Sequence, residues 1–262
     1  MKFSCCIEMI YTSLPLTDRI AKAADAGFDY FEFWNWQEKD IDAIKRAIDK
    51  YGIKPASFQG SLNGVMVDCN DKEIYVKDVE KSIDLAKELG ALAVFCISDI
   101  LQEDRSVKPH PRPISEEEAF ASSVDVLKTV SKYADKNGIN IVIEPLNTLV
   151  DHAGYSLYST KAGVDIIKAV DSPRVRLLYD AYHMQIMEGN IIDTIKQYHQ
   201  YFGHFHVADV PGRHQPGTGE LNYMNILTAL KETGYQDIVG FEYDPVTQGE
   251  SVENVLKAFK QI

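Results

Sequence analysis

The 262-residue chain is short of cysteine, of basic residues and of long apolar runs. Its four cysteines, Cys5, Cys6, Cys69 and Cys96, form no CxxC pair, which argues against a redox pair or a zinc knuckle. Scattered thiols fit a reducing compartment. The Met1 end runs into "KFSCCIEMIY" without the length or flanks of a targeting segment, so a cytoplasmic location is expected. Nothing approaches the roughly 20 apolar residues of a membrane span. Lys and Arg number 27 against 39 Asp and Glu, a net charge of -12. A surface that acidic repels phosphate backbones and anionic lipid, so neither nucleic acid nor a membrane is expected as a partner. No linker or low-complexity segment interrupts the chain, and a single domain over residues 1–262 is expected.

What is present is apolar material in short, regular portions. Hydrophobic residues make up 45% of the chain, enough for a sizeable core. Eight runs read as strands: "FSCCIEM" from Phe3, "YFEFWN" from Tyr30, "KPASFQG" from Lys54, "AVFCIS" from Ala93, "NIVIEPLN" from Asn140, "VRLLYDAY" from Val175, "FGHFHVAD" from Phe202 and "IVGFEYDP" from Ile238. Amphipathic stretches separate them. In the clearest, Ser115 is an N-cap with Glu118 three residues on, the pattern of a capping box. Phe120, Val124, Leu127 and Val130 follow at helical spacing, and Gly138 closes the helix. Strand and helix alternating eight times predict an α/β chain whose parallel sheet closes on itself, a (β/α)8 TIM barrel. The longest irregular stretch, Asp99 to Ser115, reads as a solvated loop stiffened by three prolines. Its position after the fourth strand leaves a lid or rim role open.

In such a barrel the chemistry sits where strands end at the C-terminal face. Each of the last four strands supplies one ionisable residue late in its apolar run: Glu144, Asp180, His206 and Glu242. Three carboxylates gathered at one mouth repel unless a cation neutralises them. Arginine or lysine partners are scarce: Arg174 and Arg176 sit at the wrong end of their strand, Lys54 starts one, and Arg213 lies in a loop. One divalent metal ion is therefore the favoured reading. An oxygen-rich set with one imidazole suits Mn²⁺ first, with Mg²⁺, Co²⁺ or Zn²⁺ as alternatives. His204 points the same way as His206 one layer deeper, either as a second ligand or, the preferred reading, as a core residue supporting the site. His183 leaves the sixth strand within reach of a substrate oxygen, or else caps the segment that follows it. Arg213 offers a planar fork for a carboxylate or hydroxyls, or else tethers its loop to Glu220. Trp34 is expected to wall the pocket. Glu32 is expected as a polar wall residue in contact with substrate rather than a ligand.

The motifs "IEPLN", "YDAYHMQIMEGN", "GHFHVADVPGRHQPGTGELNY" and "GFEYDP" resemble those of the hydroxypyruvate isomerase family. That family lies within the xylose isomerase-like barrels, beside the D-tagatose and D-psicose 3-epimerases. The resemblance is dense from Glu144 to Pro245 and general before it. It implies a divalent metal held by Glu144, Asp180, His206 and Glu242. It also implies Glu144 and Glu242 as the acid/base pair, with His183 and Arg213 on the substrate. His206 stands where hydroxypyruvate isomerases carry Gln, and is similar instead to the ketose 3-epimerases. Asp244 stands where they carry Lys, and the loop "SLNGVMVDCND" also departs from the isomerase pattern.

The expected activity is therefore that of an isomerase acting on a small sugar or hydroxy-keto acid. Proton transfer by a glutamate through an enediolate interconverts carbonyl and hydroxyl positions. A ketose 3-epimerase is the alternative, ahead of a keto-sugar lyase or a non-catalytic sugar-binding protein. An apurinic endonuclease of the same barrel superfamily would need many more His and Asp ligands and a basic face. Association into a homo-oligomer is left open, with "FWNWQEKD" a candidate for interface or pocket.

Overall fold

In the computed structural model, which describes residues 1–262 with the side chain of Glu250 excepted, eight strands close into one parallel barrel in sequence order. The strands are β1 (Lys2–Cys6), β2 (Tyr30–Phe33), β3 (Lys54–Gln59), β4 (Ala93–Cys96), β5 (Asn140–Ile143), β6 (Val175–Asp180), β7 (Phe202–Val207) and β8 (Ile238–Phe241). Closure comes from β1, which pairs β2 on one side and β8 on the other. All eight expected strands are present.

The connecting helices are α1 (Leu16–Ala26), α2 (Ile41–Tyr51), α3 (Lys72–Leu89), α4 (Glu116–Asn137), α5 (Thr160–Val170), α6 (Ala181–Met187), α7 (Ile191–Tyr198), α8 (Tyr223–Glu232) and α9 (Glu250–Phe259). Each buries an apolar stripe against the barrel, as Val126, Leu127 and Val130 do on α4. At the start of α4 the Ser115 hydroxyl accepts from the Glu118 backbone N–H at 3.2 Å, so the N-cap is real. The reciprocal half of the capping box is not made. The Glu118 carboxylate turns instead to Arg112, which forms a forked ion pair with it and also bonds Asp68. Gly138 then ends α4 in the left-handed conformation, φ 73°, where a side chain would be strained.

Between strands and helices lies the apolar layer, with stacked rings at Phe33–Phe58 and edge-on contact at Phe28–Phe241. Each such fully buried ring contributes about 1.5–3 kcal/mol relative to exposure. Along β7, Phe205 and Val207 face this layer, so His204 and His206 must face the lumen. Register then aligns the mouth: Asp180 of β6 pairs with His206, and His206 with Gly240 of β8. Among the described residues, no helix is long and apolar enough to cross a membrane.

The stretch after β4 is more ordered than a solvated loop. Leu101 and Val107 form an antiparallel bridge, giving a small hairpin. Asp99 pins its base, accepting from the Ser98 hydroxyl at 2.6 Å and from the Ser156 N–H at 2.8 Å, with the His110 ring at 2.8 Å.

Candidate active site

Four strand ends bring Glu144, Asp180, His206 and Glu242 together at the mouth. One ligand atom from each lies within 4.8 Å of the others, and all four residues are buried. His206 Nδ1 is 3.2 Å from Glu242 Oε2 and 3.9 Å from Glu144 Oε1. Glu144 Oε1 and His206 Nδ1 are buried without a hydrogen-bond partner. Buried polar atoms without partners are costly, and here two lie 3.9 Å apart inside a ring of carboxylates. A divalent cation fits this donor set, which is hard, anionic and completed by one imidazole.

Beneath the ring lies a second buried cluster. Glu32 Oε2 sits 2.9 Å from His206 Nε2, and Glu32 Oε1 sits 3.1 Å from His204 Nε2. The Ser4 hydroxyl donates to Oε1 and that of Ser57 to Oε2 at 3.2 Å. Burial alone would raise the Glu32 pKa, but the His204 and His206 imidazoles override it and hold the carboxyl well below its ordinary range. Burial opposes a charge on His206, but Glu242 and Glu32 override it and raise its pKa well above the ordinary value. A cation in the ring would take the place of the Nδ1 proton, and an ionised Glu32 would keep the other on Nε2, as a support for a metal-binding imidazole should. Glu32 is therefore not a wall of the cavity, as the sequence reading had it. It lies one layer down. His204 is the core support expected of it.

Charge separates the two glutamates. Burial, reinforced by neighbouring Glu242, pushes the Glu144 carboxyl well above its usual range. Glu242 is equally buried, but the His206 and Arg213 charges outweigh burial and hold it below that range. Environments that push two carboxyls apart are those that distinguish an acid from a base. The indole N–H of Trp34 donates to Glu242 Oε1 at 3.0 Å, so Trp34 is both wall and positioning contact. Trp36 turns away, donating to Ser82 of α3 at 2.8 Å.

A match to the family model of the xylose isomerase-like TIM barrel covers residues 20–262. The chain belongs to that family. Hydroxypyruvate isomerase of Escherichia coli K12 is 28% identical over 258 residues, covering 96% of each chain. The 2-oxo-tetronate isomerase of Haemophilus influenzae is 29% identical over 259 residues, covering 96% of this chain and 95% of its own. Among solved structures, an AP endonuclease of family 2 from Brucella melitensis superposes with TM-score 0.87 at 25% identity, covering 99% of this chain and 98% of its own. A D-allulose 3-epimerase from a Methylomonas species has TM-score 0.78 at 23% identity, covering 98% and 90%, and shows the shared fold. Isomerases and epimerases recur among these proteins, and the chain is an enzyme of that class.

Within this xylose isomerase-like frame, His183 and Arg213 are held by defined contacts. His183 Nδ1 accepts from the Asn147 backbone N–H at 3.3 Å and faces its side-chain amide at 2.7 Å. The proton is thereby assigned to Nε2, which is buried, has no hydrogen-bond partner and lies 3.6 Å from Asp180. Burial and then the Arg213 charge hold the imidazole neutral, well below its ordinary pKa. It is a neutral donor aimed at the site. Arg213 is more deeply engaged than a loop tether or a free substrate anchor. Its guanidinium donates to Glu242 Oε2 at 2.6 Å and to Asp180 Oδ2 at 3.1 Å. Glu220 pairs instead with Gln185. The scarcity of basic partners inferred from sequence is thus partly wrong: this one arginine reaches two of the carboxylates. Its loop is stiff because Asp209 accepts from the N–H groups of Gly217, Thr218 and Leu221.

Above the ring opens a cavity of about 500 Å³, walled by Trp34, Phe95, Ile97 and Leu101, with Gln59 and His152 among its polar groups. Asn147 and His152 were not singled out from sequence. The "IEPLN" motif carried a signal for Asn147, whereas His152 sits in a loop whose path only the fold reveals.

Proposed function

We propose that the chain is a metal-dependent isomerase of small hydroxy-keto acids or ketoses, moving a proton at a carbon next to a carbonyl. The observation that carries this reading is the ring of four ligand atoms in which Glu144 Oε1 and His206 Nδ1 lack any other partner. Glu144, Asp180, His206 and Glu242 would hold one divalent ion, Mn²⁺ being our first choice. When bound, such an ion supplies Lewis-acid polarisation of the substrate carbonyl and stabilises negative charge on the enediolate. The chain's own residues do the rest. Glu242, ionised and held in place by Trp34, removes the proton. Glu144, the other carboxyl of the pair, returns one. His183 donates from Nε2 to a substrate oxygen, its orientation set by Asn147. The apolar wall excludes water, which strengthens each of these interactions.

Return of the proton to the adjacent carbon exchanges carbonyl and hydroxyl. Return to the same carbon from the opposite face gives an epimer. His206 favours the second outcome as an alternative, being the residue by which the motif resembles ketose 3-epimerases. A DNA substrate is disfavoured by the net charge of -12, despite the name of one structural neighbour.

The test is incubation with a panel of hydroxy-keto acids and ketoses in D₂O with Mn²⁺. Deuterium should enter one carbon of one substrate, and that carbon identifies the reaction. A Mn²⁺-loaded protein that places deuterium in none of them would overturn the reading.

A further inference from the structure

The hairpin after β4 carries an anomaly at its tip. Its strands are joined by Gln102 N–H to the Ser106 carbonyl at 2.9 Å and Lys108 N–H to the Ile100 carbonyl at 2.8 Å. Glu103, Asp104 and Arg105 form the turn, and Arg105 closes it in the left-handed region with φ 69°. A three-residue hairpin loop needs such a residue before re-entering its strand, and glycine fills it at least cost. Here the longest cationic side chain takes the place of glycine. The conformation is enforced from outside as well. His152, itself buried, faces the Arg105 carbonyl with Nδ1 at 2.9 Å, and Arg105 N–H donates to the Gln102 carbonyl at 2.9 Å. A left-handed non-glycine residue held from both sides points to a use for its side chain.

Arg105 lines the cavity above the carboxylate ring. Among the described residues, Arg105 and Arg213 are the only arginines or lysines that do so. Arg213 is already taken by Asp180 and Glu242, whereas Arg105 makes no ion pair. Its charge is near enough to help hold the His152 and His183 imidazoles neutral. We propose that Arg105 is the specificity-determining residue of this site, its guanidinium receiving the carboxylate of a short hydroxy-keto acid whose carbonyl end enters the ring below. This rests on the carbonyl-shifting function proposed above and selects its substrate class, an acid rather than a neutral ketose. A guanidinium matches a carboxylate with two parallel hydrogen bonds. With Glu103 also on the cavity lining and Arg213 occupied, one free cation balances one negative charge, which suits a carboxylate better than a phosphate dianion.

The test exploits the anomaly. Arg105→Gly removes the guanidinium and leaves the turn a residue at ease in that conformation, so the melting temperature should hold or rise. Glycerate, which has a carboxylate but no carbonyl and cannot be turned over, is titrated into Mn²⁺-loaded wild type, R105G and R105K. We expect R105G to bind it about ten-fold or more weakly and R105K to recover part of the loss. Dihydroxyacetone, a neutral ketose titrated in the same way, should discriminate little between wild type and R105G. Glycerate affinity equal in wild type and R105G would overturn the assignment, as would an equal loss for acid and ketose. Inorganic phosphate binding more tightly than glycerate through Arg105 would also overturn it, by making the ligand a phosphate. Because glycerate binding needs no turnover, this outcome is separable from failure of the deuterium experiment.

Discussion

Strands β5 to β8 each deliver a carboxylate or imidazole to the barrel mouth at, or one residue from, the strand end; β1 to β4 deliver one such group, Glu32, which lies below the mouth, and the Cys6 thiol at the end of β1. The first half contributes other things to the upper surface: Trp34, Gln59, Phe95 and Ile97 on the wall, and the hairpin with Arg105. Strands in both halves are four to six residues long and all pair in parallel, so the sheet itself does not separate them. Their tasks do. Proton transfer needs groups held in fixed mutual positions, which adjacent strand ends provide. Selection among substrates needs a surface shaped from loops on a rigid frame.

If this division holds, the largest loss must come from the second half. Glu242→Gln is nearly isosteric and keeps an acceptor for Trp34, so the fold should remain. Deuterium exchange should fall by about 10²–10⁴-fold. Exchange at the wild-type rate would remove Glu242 from the acid/base role and blur the comparison at its centre.

Glu32 is where the first half reaches into the chemistry, through His206. Glu32→Gln should weaken Mn²⁺ binding by about 10–100-fold, measured by calorimetry, because a neutral amide no longer holds the imidazole with its Nδ1 lone pair upward. Glu32→Asp should recover part of this. Unaltered metal affinity in Glu32→Gln would confine the first half to the wall and make the division sharper than we argue. Gly240 tests the same seam from β8. A Cβ there would stand 2.4 Å from Glu32 Oε1 and 2.6 Å from His206 Cδ2. Both atoms belong to a buried network with little room to shift. Gly240→Ala should therefore destabilise the protein by about 1–3 kcal/mol in denaturant titration. A neutral effect would mean that the network gives way easily.

The same division describes what could be read from the sequence. Glu144, Asp180, His206 and Glu242 were legible because each comes late in an apolar run, where a charged residue needs a reason. The eight strands were legible from those runs. Glu32 was placed at the wrong depth because depth depends on stagger between strands. The pairing of β2 with β3 shifts between Phe31 and Glu32, setting Glu32 opposite Ser57 and below the mouth. The hairpin was hidden because its turn lacks the glycine or asparagine that announces one, Arg105 standing in that place. Arg213 was expected at the mouth on the substrate, and its pairing with Asp180 and Glu242 was missed because the path of its loop is not revealed by local pattern.

His152 lies where the halves meet, on the loop after β5 with its ring against the backbone of the hairpin after β4. Burial and then the Arg213 charge lower its pKa, while the bond to the Arg105 carbonyl opposes them. The sign follows from linkage. In the unfolded chain the imidazole binds a proton as pH falls below about 6.5, while in the fold it resists doing so. Stability tied to His152 is therefore complete above that value and is lost as pH falls from it towards the lowered folded value. The loss is at most about 1.4 kcal/mol per pH unit for one proton. His152→Asn removes the titration. It also removes the contact with Arg105, but that offset is common to every pH, so the slope is the readout. Denaturant midpoints of the metal-free protein at pH 7 and pH 5 should fall further for wild type than for His152→Asn. Parallel losses would mean that the junction between the halves admits water freely enough for His152 to titrate as it does unfolded, and that the hairpin is less firmly seated than its hydrogen bonds imply.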